Sequence, residues 1–199
     1  MFIDIVILPP LGVRNKIGKK VKKEIDHFPN FFVVDNINLI PHLSLWHMKV
    51  SEGKISNIAK ELKKITKGQE PIKVSSLNGP IVELKGSLEF LIASNKNLIL
   101  FQQKVFQKIF SCKNGAMPKF PKFVSSYSKG QLKEVEKYGR CLEFNPHFTM
   151  GWLKNKEDVI DVKKRISKIK FSFLAKEIYI CEVNEWWQVK RIIKKIDFK

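Results

Sequence analysis

Two short stretches of the chain place a hydroxyl two residues after a histidine: His42-Leu43-Ser44-Leu45 and His147-Phe148-Thr149-Met150, each preceded by a proline. In an extended strand residues i and i+2 share a face, so His42 and Ser44 point one way together, as do His147 and Thr149. The imidazole and hydroxyl of each pair then lie about 7 Å apart along the strand. That span suits the grip of one phosphate, with the hydroxyl donating to a non-bridging oxygen and the imidazole reaching an attacking or leaving oxygen. Two such strands facing each other put one imidazole on either side of a phosphorus atom. In-line displacement needs that arrangement, with a neutral imidazole as base and an imidazolium as acid. Imidazole serves in both roles because its ordinary pKa lies near neutrality. One His-x-Ser or His-x-Thr would carry no information. Two among four histidines, with the same preceding proline and apolar residues at the same flanking positions, are not expected by chance.

The elements that must position these residues read as a repeat. Phe2 to Leu8 reads as a strand and Val13 to Phe28 as a basic amphipathic helix. Pro41 to Val50 is the first tetrad strand, and Ser51 is placed to cap a helix running to about Thr66. Strands are expected over Pro71–Ser76, Ile81–Leu84 and Leu88–Ala93, with a turn at Asn78-Gly79-Pro80. A helix follows over Asn97–Phe110. Residues 111–130 form an irregular basic insert. The second tetrad strand, His147–Leu153, leads into a helix over Glu157–Ile169 and strands over Ala175–Val183 and Trp187–Ile196. Each tetrad is thus preceded by a strand and a helix and followed by a Lys-rich helix and two strands. The expected fold class is α+β. A single bilobal domain over 1–199 is expected, with two antiparallel sheets related by a pseudo-two-fold axis, helices on their outer faces and a central cleft between the motif strands 41–50 and 146–153.

At the tetrads the sequence resembles the 2H phosphoesterase superfamily, in particular its RNA 2′,3′-cyclic phosphodiesterases, also called 2′-5′ RNA ligases. The signature there is two His-apolar-Thr/Ser-apolar tetrads on a duplicated bilobal fold. The first tetrad departs from that branch by carrying Ser44 where threonine is common, which keeps the hydroxyl. The insert over 111–130 is a second departure. The resemblance implies hydrolysis of 2′,3′-cyclic phosphate ends of RNA or nucleotides without a metal or other cofactor, with 2′-5′ RNA ligase activity beside it. His42 and His147 would then be catalytic, and Ser44 and Thr149 would hold the phosphate. A 2′,5′-oligoadenylate or other cyclic-nucleotide phosphodiesterase, a nucleotide-binding module without turnover, and a basic RNA-binding protein are the competing readings.

The balance of 37 basic against 19 acidic residues gives a formal net charge of +18, which attracts polyanions at long range. RNA or a nucleotide is the expected partner, and a solvated lysine-rich surface is the plainer reading of the same charge. Lys119, Phe120, Lys122, Phe123, Tyr127 and Lys129 interleave cations with rings, a pattern that suits single-stranded nucleic acid or a solvated loop. Strict alternation puts Trp46 on the face of His42 and Ser44, where it could stack on a base, although packing in the core is the commoner role. Trp186 and Trp187 are read mainly as packing at the start of the last strand. His27 reads as a capping or surface residue. His42 and His47, five apart on one strand, should face opposite ways, so no shared metal ion is expected. Three scattered cysteines, with no basic leader before the apolar Phe2–Leu8 run, point to a reducing compartment, and a monomeric cytoplasmic protein without a membrane span is expected.

Overall fold

Strand β1 (Phe2–Ile7) alternates cleanly: Ile3, Ile5 and Ile7 enter the main core while Asp4 and Val6 face the other way. The structure is a computed structural model and describes residues 1–77, 81–82, 86–93, 95–115, 128–138, 144–155, 157–166 and 169–199. Helix α1 (Leu11–Ile25) buries Ile17, Val21 and Ile25, spaced four apart on one stripe, and leaves most of its lysines toward solvent. Gly18 on the same stripe lets α1 press against the chain at Asp35, because a Cβ there would lie 2.5 Å from the Asp35 carbonyl oxygen. Strand β2 (Asn30–Val33) follows, then the first tetrad strand β3 (Leu43–Lys49). Helix α2 (Ile55–Thr66) buries Ile58, Ala59 and Leu62. Strands β4 (Ile72–Ser75), β5 (Ile81–Val82) and β6 (Ser87–Leu91) precede helix α3 (Lys96–Ile109). The Asn95 side chain caps α3 by accepting from the Leu98 N–H at 2.9 Å. Helix α4 (Lys129–Tyr138), the second tetrad strand β7 (His147–Leu153), helix α5 (Asp158–Ile166) and strands β8 (Ser172–Ala175), β9 (Glu177–Val183) and β10 (Val189–Asp197) complete the order.

The strands form two four-stranded antiparallel sheets, ordered β10-β9-β1-β3 and β2-β7-β6-β5, and a separate pair β4-β8. The architecture is α+β, as expected. Each large sheet draws strands from both ends of the chain: β9 and β10 join β1 and β3, and β2 pairs with β7. Helices α2 and α3 pack against β10 and β3 of the first sheet, while α1 packs against β2, β7 and α5 at the second. One continuous apolar cluster joins the inner faces of both sheets to the helices.

Some expectations shift. Strands β2 and β8 and helix α4 were not read from the sequence. Ser51 makes no side-chain cap and instead opens a single 3-10 turn, Glu52–Lys54, ahead of α2. Trp187 does not start the last strand; it sits in the β9–β10 turn with φ of 59°. Lys129 is exposed at the start of α4. Lys119, Phe120, Lys122, Phe123 and Tyr127 lie outside the described residues.

Candidate active site

Each tetrad strand carries a β-bulge, and both bulges fall three residues past the tetrad histidine. Between β1 and β3 the pairing steps from Ile5↔Trp46 to Val6↔Ser44, which leaves Leu45 as the extra residue. Between β6 and β7 it steps from Leu88↔Gly151 to Glu89↔Thr149, which leaves Met150 extra. The carbonyls of both bulged residues are satisfied from outside the tetrad ladder. Buried Gln102 on α3 donates its side-chain amide to Leu45 O at 3.1 Å, and the Val34 N–H donates to Met150 O at 2.9 Å.

The bulges decide which side chains share a face. Leu45 and Trp46 both turn inward, and so do Met150 and Gly151. Trp46 therefore does not stand beside His42 and Ser44. It is fully buried against Phe106 and Phe110, ring centroids 5.3 and 5.8 Å away, and its indole N–H donates to Tyr138 O on α4. Stacking on a substrate base is excluded for a side chain so placed. The same shift brings His47 onto the face of Ser44, overturning the expectation that His42 and His47 diverge. Among the described residues, no three His, Cys, Asp or Glu side chains form a group able to hold a metal ion.

At the first tetrad His42 is 3% exposed, and its Nδ1 lies 2.8 Å from the Ile40 carbonyl oxygen. A carbonyl only accepts, so Nδ1 carries the hydrogen and Nε2 is the free nitrogen of the neutral ring. Nε2 lies 3.8 Å from Oδ2 of Asp4, which is wholly buried on β1. The same Oδ2 accepts from Ser44 Oγ at 2.6 Å and lies 3.0 Å from His47 Nε2. Trp187 covers His47, with ring centroids 4.9 Å apart. Burial pushes the His42 pKa below the ordinary imidazole value, against the opposing pull of Asp4 and the Ile40 hydrogen bond; the charges of His47 and His147 push it further down. His147 thus lies within electrostatic reach of His42, and β3 and β7 are in contact.

At the second tetrad the same local device recurs. His147 Nδ1 lies 2.8 Å from the Asn145 carbonyl oxygen, again two residues upstream. This ring is 35% exposed, and its Nε2 lies 4.0 Å from Glu89 on β6. Glu89 stands directly opposite Thr149 and accepts from Ser87 Oγ at 2.6 Å. Thr149 is half-buried and makes no hydrogen bond through its hydroxyl among the described residues. The structure therefore brings His42, Ser44 and His147 into one electrostatic neighbourhood and sets Thr149 on the face of His147. Trp186 stacks on Phe31 with centroids 5.3 Å apart.

Asp4 and Glu89 were not singled out from the sequence, and His47 was placed on the face opposite His42. A carboxylate inside the apolar run Phe-Ile-Asp-Ile-Val-Ile is the available signal for Asp4, since an acid is almost never fully buried unless paired. The signal for His47 is the doublet Leu45-Trp46, which breaks the alternation just before it.

No family model matches the chain, and no curated protein matches it in sequence. Solved structures do match in fold. TT0787 of Thermus thermophilus superposes with a TM-score of 0.65 at 10% identity, covering 100% of this chain and 98% of that one. A structure described as a phosphoesterase gives a TM-score of 0.56 at 12% identity, over 100% of this chain and 98% of that chain. LigT of E. coli complexed with 3′-AMP gives 0.55 at 13% identity, over 99% and 97%. At these identities the likeness is one of fold, and it spans the whole chain.

Proposed function

We propose that the protein is a metal-independent phosphodiesterase of the 2H phosphoesterase superfamily that hydrolyses 2′,3′-cyclic phosphate ends of RNA or nucleotides, with 2′-5′ ligation when a 5′-hydroxyl of RNA attacks the cyclic phosphate in place of water. One observation carries this reading. Both tetrad histidines are pinned through Nδ1 to a carbonyl two residues upstream, at 2.8 Å each, with Nε2 left for chemistry, at the starts of strands β3 and β7 that are in contact. Two histidines held alike on facing strands suit an acid and a base acting on one phosphorus. The matched bulges support a duplicated, bilobal single domain over 1–199 with the phosphate between the tetrads. The whole-chain likeness to a phosphoesterase and to a protein that binds 3′-AMP supports a nucleotide substrate.

In this reading His42 is the base. It is buried, held neutral by its surroundings, and presents an Nε2 lone pair that takes a proton from the attacking water. His147, partly open to solvent and faced by the Glu89 carboxylate, carries the proton delivered to the leaving ribose oxygen. Hydroxyl donors stabilise the charge that builds on the non-bridging oxygens. The acid–base work rests on the imidazoles. Hydrolysis of a 2′,3′-cyclic nucleotide should therefore persist in excess EDTA, and complete loss restored by a divalent ion would overturn the mechanism.

A further inference from the structure

The two tetrads look alike in sequence, yet their hydroxyls are engaged differently. Ser44 has one hydroxyl hydrogen, and it points to Asp4 Oδ2 at 2.6 Å, a short charge-assisted bond. His47 Nε2 lies against the same oxygen at 3.0 Å. Asp4 is wholly buried, and its Oδ1 has no hydrogen-bond partner among the described residues. A buried carboxylate is costly unless donors compensate it, so Ser44 and His47 are what make this charge tolerable. Diverting the Ser44 hydrogen to a substrate oxygen would strip Asp4 of one of those donors. At the second tetrad the hydroxyl donated to the carboxylate belongs to Ser87 instead, and Thr149 stays uncommitted among the described residues.

We propose that Ser44 is a positioning residue, bound with His47 to the buried Asp4 carboxylate beside His42, and that Thr149 is the tetrad hydroxyl that grips the phosphate. The inference rests on the phosphodiesterase reading above and divides labour between two tetrads that the sequence presents as equals. Asp4 sets the charge felt by His42, and Ser44 and His47 hold Asp4 in place. The other ionisable groups around this network are His147 from β7, Cys181 across from Asp4 on β9, and Arg14 of α1, whose charge reaches Cys181.

Two measurements on the intact protein test it. In the first, binding of inorganic phosphate and turnover of a 2′,3′-cyclic nucleotide are compared for Ser44→Ala, Thr149→Ala and Thr149→Ser. Thr149→Ala should weaken phosphate binding about tenfold or more and raise KM, with rescue by serine, because a direct donor is lost. Ser44→Ala should change phosphate binding by less than about threefold while lowering kcat, as expected when the loss falls outside ground-state binding. Equal weakening in the two alanine variants overturns the division of labour. In the second, NMR follows the titration of each histidine ring. Asp4 raises the proton affinity of His42, so Asp4→Asn should move the His42 titration to lower pH, with the acid limb of the kcat/KM profile following it. His47→Gln keeps a donor toward Asp4 but removes a charge that lowers His42, so the His42 titration should move to higher pH, opposite to Asp4→Asn. A His42 titration unmoved in Asp4→Asn overturns the network. A wild type that neither binds phosphate nor turns over overturns the phosphodiesterase reading and the role of Thr149, while the His42 titration still decides the Asp4 network on its own.

Discussion

Asp4 and Glu89 stand opposite non-equivalent positions of the two tetrad strands. Asp4 pairs with His47, five residues past the first tetrad histidine, whereas Glu89 pairs with Thr149, two residues past the second. The residue that matches Asp4 by register is Ser87, opposite Trp152, and the one that matches Glu89 is Val6, opposite Ser44. One tetrad histidine therefore faces a wholly buried acid and the other a partly open one, and the backbone equivalence of the strands does not extend to their electrostatics.

Loss of either imidazole should remove a positioned acid or base. His42→Ala and His147→Ala should each lower turnover by about two to four orders of magnitude. The double variant should fall well short of the product of the two losses, because both groups act in one displacement. Steady-state kinetics on a cyclic nucleotide check this, and a folded single variant with near-wild-type turnover would contradict the two-histidine mechanism.

Burial of His42 also links stability to pH. The folded state holds this imidazole below its ordinary value of 6.5, so the unfolded chain takes up the proton first as pH falls. The stabilising contribution of neutral His42 is present above that value and is lost progressively as pH drops through it toward the folded-state pKa. Urea midpoints between pH 7.5 and 5 should therefore decline more steeply for the wild type than for His42→Gln. Parallel declines would show that His42 is not the group responsible.

Gln102 lies outside both tetrads but satisfies the carbonyl of bulged Leu45. Gln102→Leu keeps the side-chain bulk, leaves that buried carbonyl unpaired and should cost about 1–3 kcal/mol of stability. Turnover should fall as well, because the bulge keeps Trp46 inward and His47 outward. Urea denaturation and kinetics on the same preparation test both effects, and unchanged stability would remove Gln102 from the support of the bulge.

The +18 charge predicts that affinity for single-stranded RNA falls steeply with salt, with a log–log slope of about −0.7 for each phosphate neutralised. Replacing Lys119, Lys122 and Lys129 together should flatten that slope and leave turnover of a mononucleotide nearly intact. A slope identical to the wild type would take these lysines out of the RNA-binding surface.

The tetrad strands were legible because alternation and a flanking proline are local signals; the structure gives β7 the span His147–Leu153, as read. The faces beyond the first tetrad were not, because strict alternation was carried through Leu45-Trp46, where a bulge resets the phase. Trp46 and His47 changed sides for that one reason. Strand β2 was missed because Asn30–Val33 is short and lacks alternation, and its place beside β7 depends on a partner more than a hundred residues away. The proton link from Ser44 to Asp4 spans forty residues and arises only from sheet pairing. Such links are the part of a site that spacing within a motif cannot show.

The exchange of strands between the two ends of the chain has a consequence for synthesis. Strand β1 leaves the ribosome long before β9 and β10, the strands that complete its sheet, are translated. Until they arrive, one edge of β1 is unpaired and the buried face of β3 lacks its finished sheet, a condition in which exposed strand edges invite misassociation. The Asp4–Ser44 pair therefore acquires its final surroundings only after β9 and β10 have been made, so a product cut short before β9 should lack the geometry of the candidate site even with both tetrads present.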